Sequence, residues 1–337
     1  MSRTPRAVAA GLTGAVCLAS LSLLSAPSSY AAPAPKPGKT VELQLLAIND
    51  LHGNLEPPTG SGGRVNTGPV GDGPATATVN AGGVAFLADH LDKLRAEAPH
   101  SLTVAAGDMV GASPLISALF HDEPTIEALD LLGLDVTAVG NHEFDEGVEE
   151  LQRLQDGGCH PVDGCQTGHQ FEGAGFPFLA ANVVDKITRQ PILPPYLIKN
   201  VGSVKVGFIG MTLEGTADIV SKAGIAGVDF LDEAETANRY TKELQARGVE
   251  SIVVLLHEGG TQARELTPQN SLFNDCNNLT GPIVPIVEAF DKAIDVVVSG
   301  HTHQAYNCQG TKAIAGKLVT SAASFGRVVS DLRLTLD

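Results

Sequence analysis

The chain has 337 residues, 22 Lys and Arg against 38 Asp and Glu, and a formal net charge of −16. A hydrophobic fraction of 43% with a charged fraction of 18% can fill a core, which excludes a disordered chain. The acidity argues against a binder of nucleic-acid polymers and against docking on anionic lipid, since both need clustered Lys and Arg.

The chain opens on an address. Arg3 and Arg6 precede an apolar, small-residue run over 7–26, and Ser29-Tyr30-Ala31 makes a small-x-small cleavage pattern. Residues 1–31 are expected to be a secretory signal peptide, and 32–40 a Pro-rich linker. A membrane helix fits less well, because the run is rich in Gly, Ser and Thr. The expected location is therefore outside the cytoplasm: extracellular, periplasmic or cell-wall associated, with no stable membrane insertion after cleavage. Cys17 leaves with the signal. Cys159, Cys165, Cys276 and Cys308 remain, and an even count in an exported chain favours two disulfides. Three pairings are open. Cys159–Cys165 with Cys276–Cys308 is preferred, and zinc binding by these Cys is disfavoured because no C-x-x-C spacing occurs.

One folded region is expected over 41–337. Apolar, β-branched runs predict strands over 41–48, 102–106, 136–139, 178–182, 204–211, 251–256, 294–299, 317–321 and 329–337. Helical patterns fall at 83–98, 125–132, 147–155, 233–247 and 282–289. Their alternation implies an α/β core with mostly buried strands. The Gly-rich stretch 60–73 lacks periodicity and reads as an exposed loop; a phosphate-binding loop would need a Lys and a following helix that it lacks. The chain ends inside an alternating strand, which suggests a longer protein.

Five of these strands end in chemistry. The first runs into Asn49-Asp50-Leu51-His52-Gly53-Asn54 and the second into Gly107-Asp108. The third meets Gly140-Asn141-His142-Glu143-Phe144-Asp145; later ones meet His257-Glu258-Gly259-Gly260 and Gly300-His301-Thr302-His303. In open α/β sheets, sites form at the carboxyl ends of strands. A lone His there is usually a structural residue, and a Gly before it can mean only a tight turn. Five such ends in one chain make chance a poor explanation.

Imidazole and carboxylate without thiolate suit Zn, Mn, Fe or Co. Seven groups (Asp50, His52, Asp108, Asn141, His257, His301 and His303) are too many for one ion but enough for two that share a carboxylate. Two divalent ions against two Asp leave residual positive charge for an anionic substrate. Such a pair can clamp phosphoryl oxygens and make a nucleophile at neutral pH. His142 and Asp145 stand three apart at an expected helix start, so they can pair. A carboxylate beside His142 favours the imidazolium, which can protonate a leaving alkoxide. The plain alternative for Asp145 is helix N-capping. Glu143 is given no catalytic role, and Asn49 and Asn54 are read as loop-forming.

The ordered set D-x-H, G-D, G-N-H-E, H-E-G-G and G-H-T-H resembles the calcineurin-like metallophosphoesterases. N-D-L-H-G-N followed by G-N-H-E-F-D is similar to their exported 5′-nucleotidase / UDP-sugar hydrolase branch. The resemblance implies a four-layered α-β-β-α sandwich with two face-packed mixed sheets. It implies one metal held by Asp50, His52, Asp108 and His303, another held by Asp108, Asn141, His257 and His301, and His142 with Asp145 as the catalytic dyad. Some members carry Gln where this chain has His303, so the first site is expected to prefer a different metal here. The cofactors implied are two divalent ions, Zn, Mn or a mixture, with Fe and Co as further options. The implied reaction is in-line attack of a metal-generated hydroxide on a nucleoside 5′-monophosphate, with UDP-sugars and 2′,3′-cyclic nucleotides as further substrates. Other readings are a cyclic phosphodiesterase, a thiosulfohydrolase, or an exported binding or metal-storing protein. The resemblance also implies a C-terminal substrate-binding domain that reads the base; this chain is expected to lack it, and a full-length form is expected to require it.

Overall fold

The computed structural model describes residues 40–69, 76–263 and 273–337. The expected signal peptide and nearly all of the linker lie outside them. Among the described residues no helix is long and apolar enough to cross a membrane.

The strand Val41–Ile48 shows how the sequence builds layers. Its side chains alternate, so Leu43, Leu45 and Ala47 enter one apolar cluster while Leu46 and Ile48 enter another. Burial on both faces is why the strand reads as an unbroken apolar run. It sits second in a five-stranded sheet ordered Ser330–Leu336, Val41–Ile48, Ser101–Ala106, Val136–Ala138, Phe178–Leu179. Only the edge strand Ser330–Leu336 is antiparallel. A six-stranded sheet is ordered Ala305–Cys308, Leu318–Ala322, Val296–Ser299, Ser251–His257, Val204–Thr212, Tyr196–Val201. Its two edge strands are antiparallel and its centre parallel.

The two mixed sheets pack face to face. Leu45, Val104 and Val136 of the first share a core with Phe208, Val253 and Val298 of the second. Outside the first sheet, helices Val84–Arg95, Glu123–Leu132 and Val148–Asp156 bury Leu87, Leu91, Ile126, Leu129 and Leu151. Outside the second, Glu233–Ala246 and Ile283–Ala289 bury Ala237, Leu244, Ile283 and Val287. The layers thus run α-β-β-α, as expected. Local signals fix the helix ends. Asp232 accepts the Glu235 N–H at 2.7 Å, and Gly133 closes Glu123–Leu132 at φ 70°.

Some boundaries differ. The strand expected over 178–182 stops at Leu179, because Asn182 turns the chain. Its Nδ2 donates to Thr212 O and Leu231 O, and its Oδ1 accepts the Thr212 N–H. Val183–Asp185 then pairs with Val228–Phe230 in a separate ribbon. The stretch 60–73 is not a plain loop within its described part. Gly60–Gly63 forms a 3-10 turn, and Arg64–Pro69 pairs with Thr76–Asn80 across a bulge at Asn66/Gly68. Gly and Pro at these positions hide the alternation. Both preferred disulfides are present, with Cα–Cα distances of 4.5 Å for Cys159–Cys165 and 4.9 Å for Cys276–Cys308.

Candidate metal centre

Five loops meet at the carboxyl ends of five parallel strands, three in the first sheet and two in the second. The backbone turns sharply to aim them. Asp50, His52, Asp108, His301 and His303 take φ of 51°, 49°, 52°, 69° and 55°. Left-handed backbone costs a non-glycine residue about 1–2 kcal/mol, and such strain clusters at functional sites. Two glycines serve close approach. A Cβ on Gly140 would lie 2.2 Å from Asp108 Oδ1, and one on Gly107 would lie 2.6 Å from Gly140 N.

Asp108 stands between two donor groups. Its Oδ1 accepts the His142 N–H at 2.9 Å. Its Oδ2 lies 2.9 Å from His257 Nε2 and 3.6 Å from His52 Nε2. On one side, His257 Nε2 is 3.2 Å from Asn141 Oδ1, and one ligand atom each of Asp108, His257 and His301 lie within 4.8 Å of one another. On the other side, His303 Nε2 is 3.3 Å from Asp50 Oδ1 and 3.0 Å from His52 Nε2, and Asp50, His52 and His303 form a second such group. A third joins His142 to His52 and Asp108.

Second partners set the imidazole tautomers. His257 Nδ1–H donates to Ala106 O at 2.8 Å, and His52 Nδ1–H donates to Gly111 O at 2.9 Å. Each Nε2 then faces inward, where a cation that displaces its proton would find a ligand. Asp50 and Asp108 are buried, and among the described residues neither pairs with Lys or Arg. Burial alone would raise both carboxyls. For Asp50, hydrogen bonds from His303 and His52 win and hold it well below the usual range. For Asp108, the charge and hydrogen bond of His257 win. Burial opposes charge on His257 too, yet Asp108 raises it to about 10. His301 is lowered by burial and by His257. Two buried carboxylates thus draw positive charge into a shell of nitrogen and oxygen donors with no thiolate. That donor chemistry fits divalent cations.

His142 and Asp145 pair directly, Nδ1 to Oδ2, at 2.7 Å. His142 opens a 3-10 turn, His142–Phe144, and Asp145 caps its end, so the pair does not stand at an α-helix start. The next helix is N-capped at Gly147 with no side-chain cap bond, so Asp145 does not cap it. The Asp145 hydrogen bond raises the His142 pKa against the effect of burial. His142, His52, Asp108, Ala112, His301, His303 and Phe325 line a cavity of about 340 Å³. A larger cavity of about 760 Å³ near Asp218 and Asp229 contains none of these residues.

Three residues do more than their sequence context announces. Asn49 does more than shape a loop. Its Nδ2 donates to Asp50 Oδ2 at 2.6 Å and to Ala323 O at 2.7 Å, and its Oδ1 accepts the Ala322 N–H at 2.7 Å. Glu143 is buried and accepts the N–H groups of Asp108 at 3.0 Å and Met109 at 2.8 Å, as well as Gly140 N–H, so it locks two ligand loops together. Burial and the Asp108 charge push its carboxyl up to about 7. Phe325 enters the cavity from a segment with no motif. Asn54 is loop-forming as read, donating to Leu51 O and His52 O.

The family described as calcineurin-like phosphoesterase matches residues 43–305, which include all five loops of the candidate centre. The chain is 35% identical over 301 residues to Endonuclease YhcR of Bacillus subtilis, covering 89% of this chain and 22% of that protein. It is 30% identical over 266 residues to the snake venom 5′-nucleotidase of Gloydius brevicauda, covering 78% of this chain and 37% of the relative. Among solved structures, the 5′-nucleotidase precursor from Thermus thermophilus superposes with a TM-score of 0.63 and 26% identity, over 88% of this chain and 52% of that one. The chain thus spans a part of each of these relatives.

Proposed function

The chain belongs to the calcineurin-like phosphoesterases, and from that premise we propose that it is an exported, dinuclear phosphomonoesterase acting on nucleoside 5′-monophosphates. The observation that carries this reading is Asp108 Oδ2, which lies between two separate donor groups. Asp50, His52, Asp108 and His303 would hold one ion; Asp108, Asn141, His257 and His301 would hold the other. Zn, Mn or a mixture suits these donors. A bound pair supplies Lewis acidity to the phosphoryl oxygens and acidifies water.

The chain's own groups do the rest. Asp145 holds Nδ1 of His142 and favours its imidazolium. Nε2–H of His142 then donates its proton to the departing ester oxygen. Water adds to phosphorus in line, the phosphorus–ester oxygen bond breaks, and phosphate and a nucleoside leave. Glu143 and Asn49 position Asp108 and Asp50 through the hydrogen bonds described above. The disulfides and the basic, apolar start of the chain support export, which an N-terminus at Ala32 in secreted protein would test.

The endonuclease relative favours a second reading, a phosphodiesterase. The test is phosphate or alcohol release from 5′-AMP, 4-nitrophenyl phosphate and bis(4-nitrophenyl) phosphate, with Mn²⁺ or Zn²⁺ added. The account expects both monoesters to react, with 5′-AMP preferred. Release from the diester alone overturns it.

A further inference from the structure

Phe325 borders the candidate metal centre. It is neither in the core nor on an open surface, and its backbone takes φ 63°, which a bulky side chain rarely adopts. The segment is tied in place by its backbone. Phe325 N–H donates to Asp50 O at 2.7 Å, and its carbonyl accepts Gly83 N–H at 3.2 Å. The ring is fixed from two sides. One side meets His303 and His52 edge-on, at centroid distances of 5.3 and 5.9 Å. The Arg327 guanidinium lies 5.4 Å from the ring centroid, tied to Ser324 O at 3.0 Å and Ser324 Oγ at 2.8 Å. Of the residues lining the 340 Å³ cavity, only Phe325 and Ala112 are apolar. His142 lies on another flank of His52, with ring centroids 5.0 Å apart.

We propose that Phe325 is the wall against which the leaving group rests, so that this centre favours monoesters whose leaving group carries a planar aromatic ring. The inference rests on the phosphomonoesterase reading above. A strained backbone is stored where a side chain must point somewhere particular. Here it places an aromatic ring in the wall of a cavity lined otherwise by imidazoles, a carboxylate and Ala112. An aryl ring stacked there would leave its ester oxygen toward His142, and a nucleobase would reach Phe325 across its ribose.

The test compares full-length, Mn²⁺-loaded wild type, Phe325→Leu and Phe325→Tyr in two assays. The first is kcat/KM for phenyl phosphate relative to glycerol 2-phosphate. The second is calorimetric affinity for phenylphosphonate relative to methylphosphonate, which needs no turnover. Wild type should prefer the phenyl member, Phe325→Leu should lose about three- to tenfold of that preference, and Phe325→Tyr should keep it. Equal affinity of wild type for both phosphonates overturns the inference, even if the Leu variant does not fold. So does a Leu variant that keeps the full preference. Absence of turnover with every ester overturns the phosphomonoesterase reading instead, while the phosphonate comparison still judges the wall.

Discussion

His257 ends one strand of the second sheet and His303 follows its neighbour, and the protein holds them differently. The His257 side chain is 0% exposed, and its Nδ1 is committed to a main-chain carbonyl. The His303 side chain is 38% exposed and is steadied by ring contacts with His52 and Phe325. Asp108, Asn141 and His257 of the inner half are buried, with Asp108 and His257 pinned by backbone partners, and His301 is half-buried; in the outer half Asp50 and His52 are buried as well, so the two halves differ chiefly at His303. The outer set depends on a half-exposed imidazole beside an aromatic wall. A donor locked by a second hydrogen bond loses little freedom on binding a cation, so the inner half should hold its ion more tightly.

The largest expected effect lies outside both halves. His142→Ala should lower kcat by about 10²–10⁴-fold while metal content by mass spectrometry stays unchanged. Loss of metal along with turnover would make His142 a ligand and blur the division between the halves. Next come the two histidines themselves. His257→Ala and His303→Ala should each weaken metal binding, by at least the roughly 10–100-fold typical of lost supporting partners. His257→Ala should be the worse of the two. It also leaves the Ala106 carbonyl without its side-chain partner, so its melting temperature should fall further than that of His303→Ala. Equal losses in calorimetric titration would erase the inner–outer distinction.

A smaller effect should appear in pH dependence. Asp145 raises the His142 pKa, so the protonated, donating form persists to higher pH. Activity should fall as pH rises through that raised pKa. In Asp145→Asn the support is gone, the pKa drops, and the alkaline limb of the kcat profile should move to lower pH. An unmoved limb would assign that limb to another group. The smallest effect concerns strain. His303 sits at φ 55°, which costs Ala more than Gly. His303→Gly should therefore be more stable than His303→Ala by about 1 kcal/mol in denaturant unfolding. The reverse order would mean that the turn relaxes.

Much of this was legible in the sequence, for physical reasons. Strands such as Val41–Ile48 are buried on both faces, so they appear as apolar runs whose polar endings mark the site. The seven candidate ligand positions stand out because each lies at or closely after the end of such a run. What stayed hidden depends on contacts through space. Glu143 matters because its carboxylate meets backbone N–H groups 34 and 35 residues away. Asn49 matters because it reaches main-chain atoms 273 and 274 residues away. No spacing rule announces either. The ribbon Arg64–Pro69/Thr76–Asn80 was missed because Gly and Pro interrupt its alternation. Phe325 was missed because nothing local distinguishes it from a core aromatic.

The central claim is that one carboxylate serves two ions. The most direct measurement is the metal content per chain of wild type and Asp108→Ala, after loading with Mn²⁺ or Zn²⁺ and exhaustive dialysis. The account predicts two ions in the wild type and none in the variant. Two tightly held ions in Asp108→Ala would contradict it.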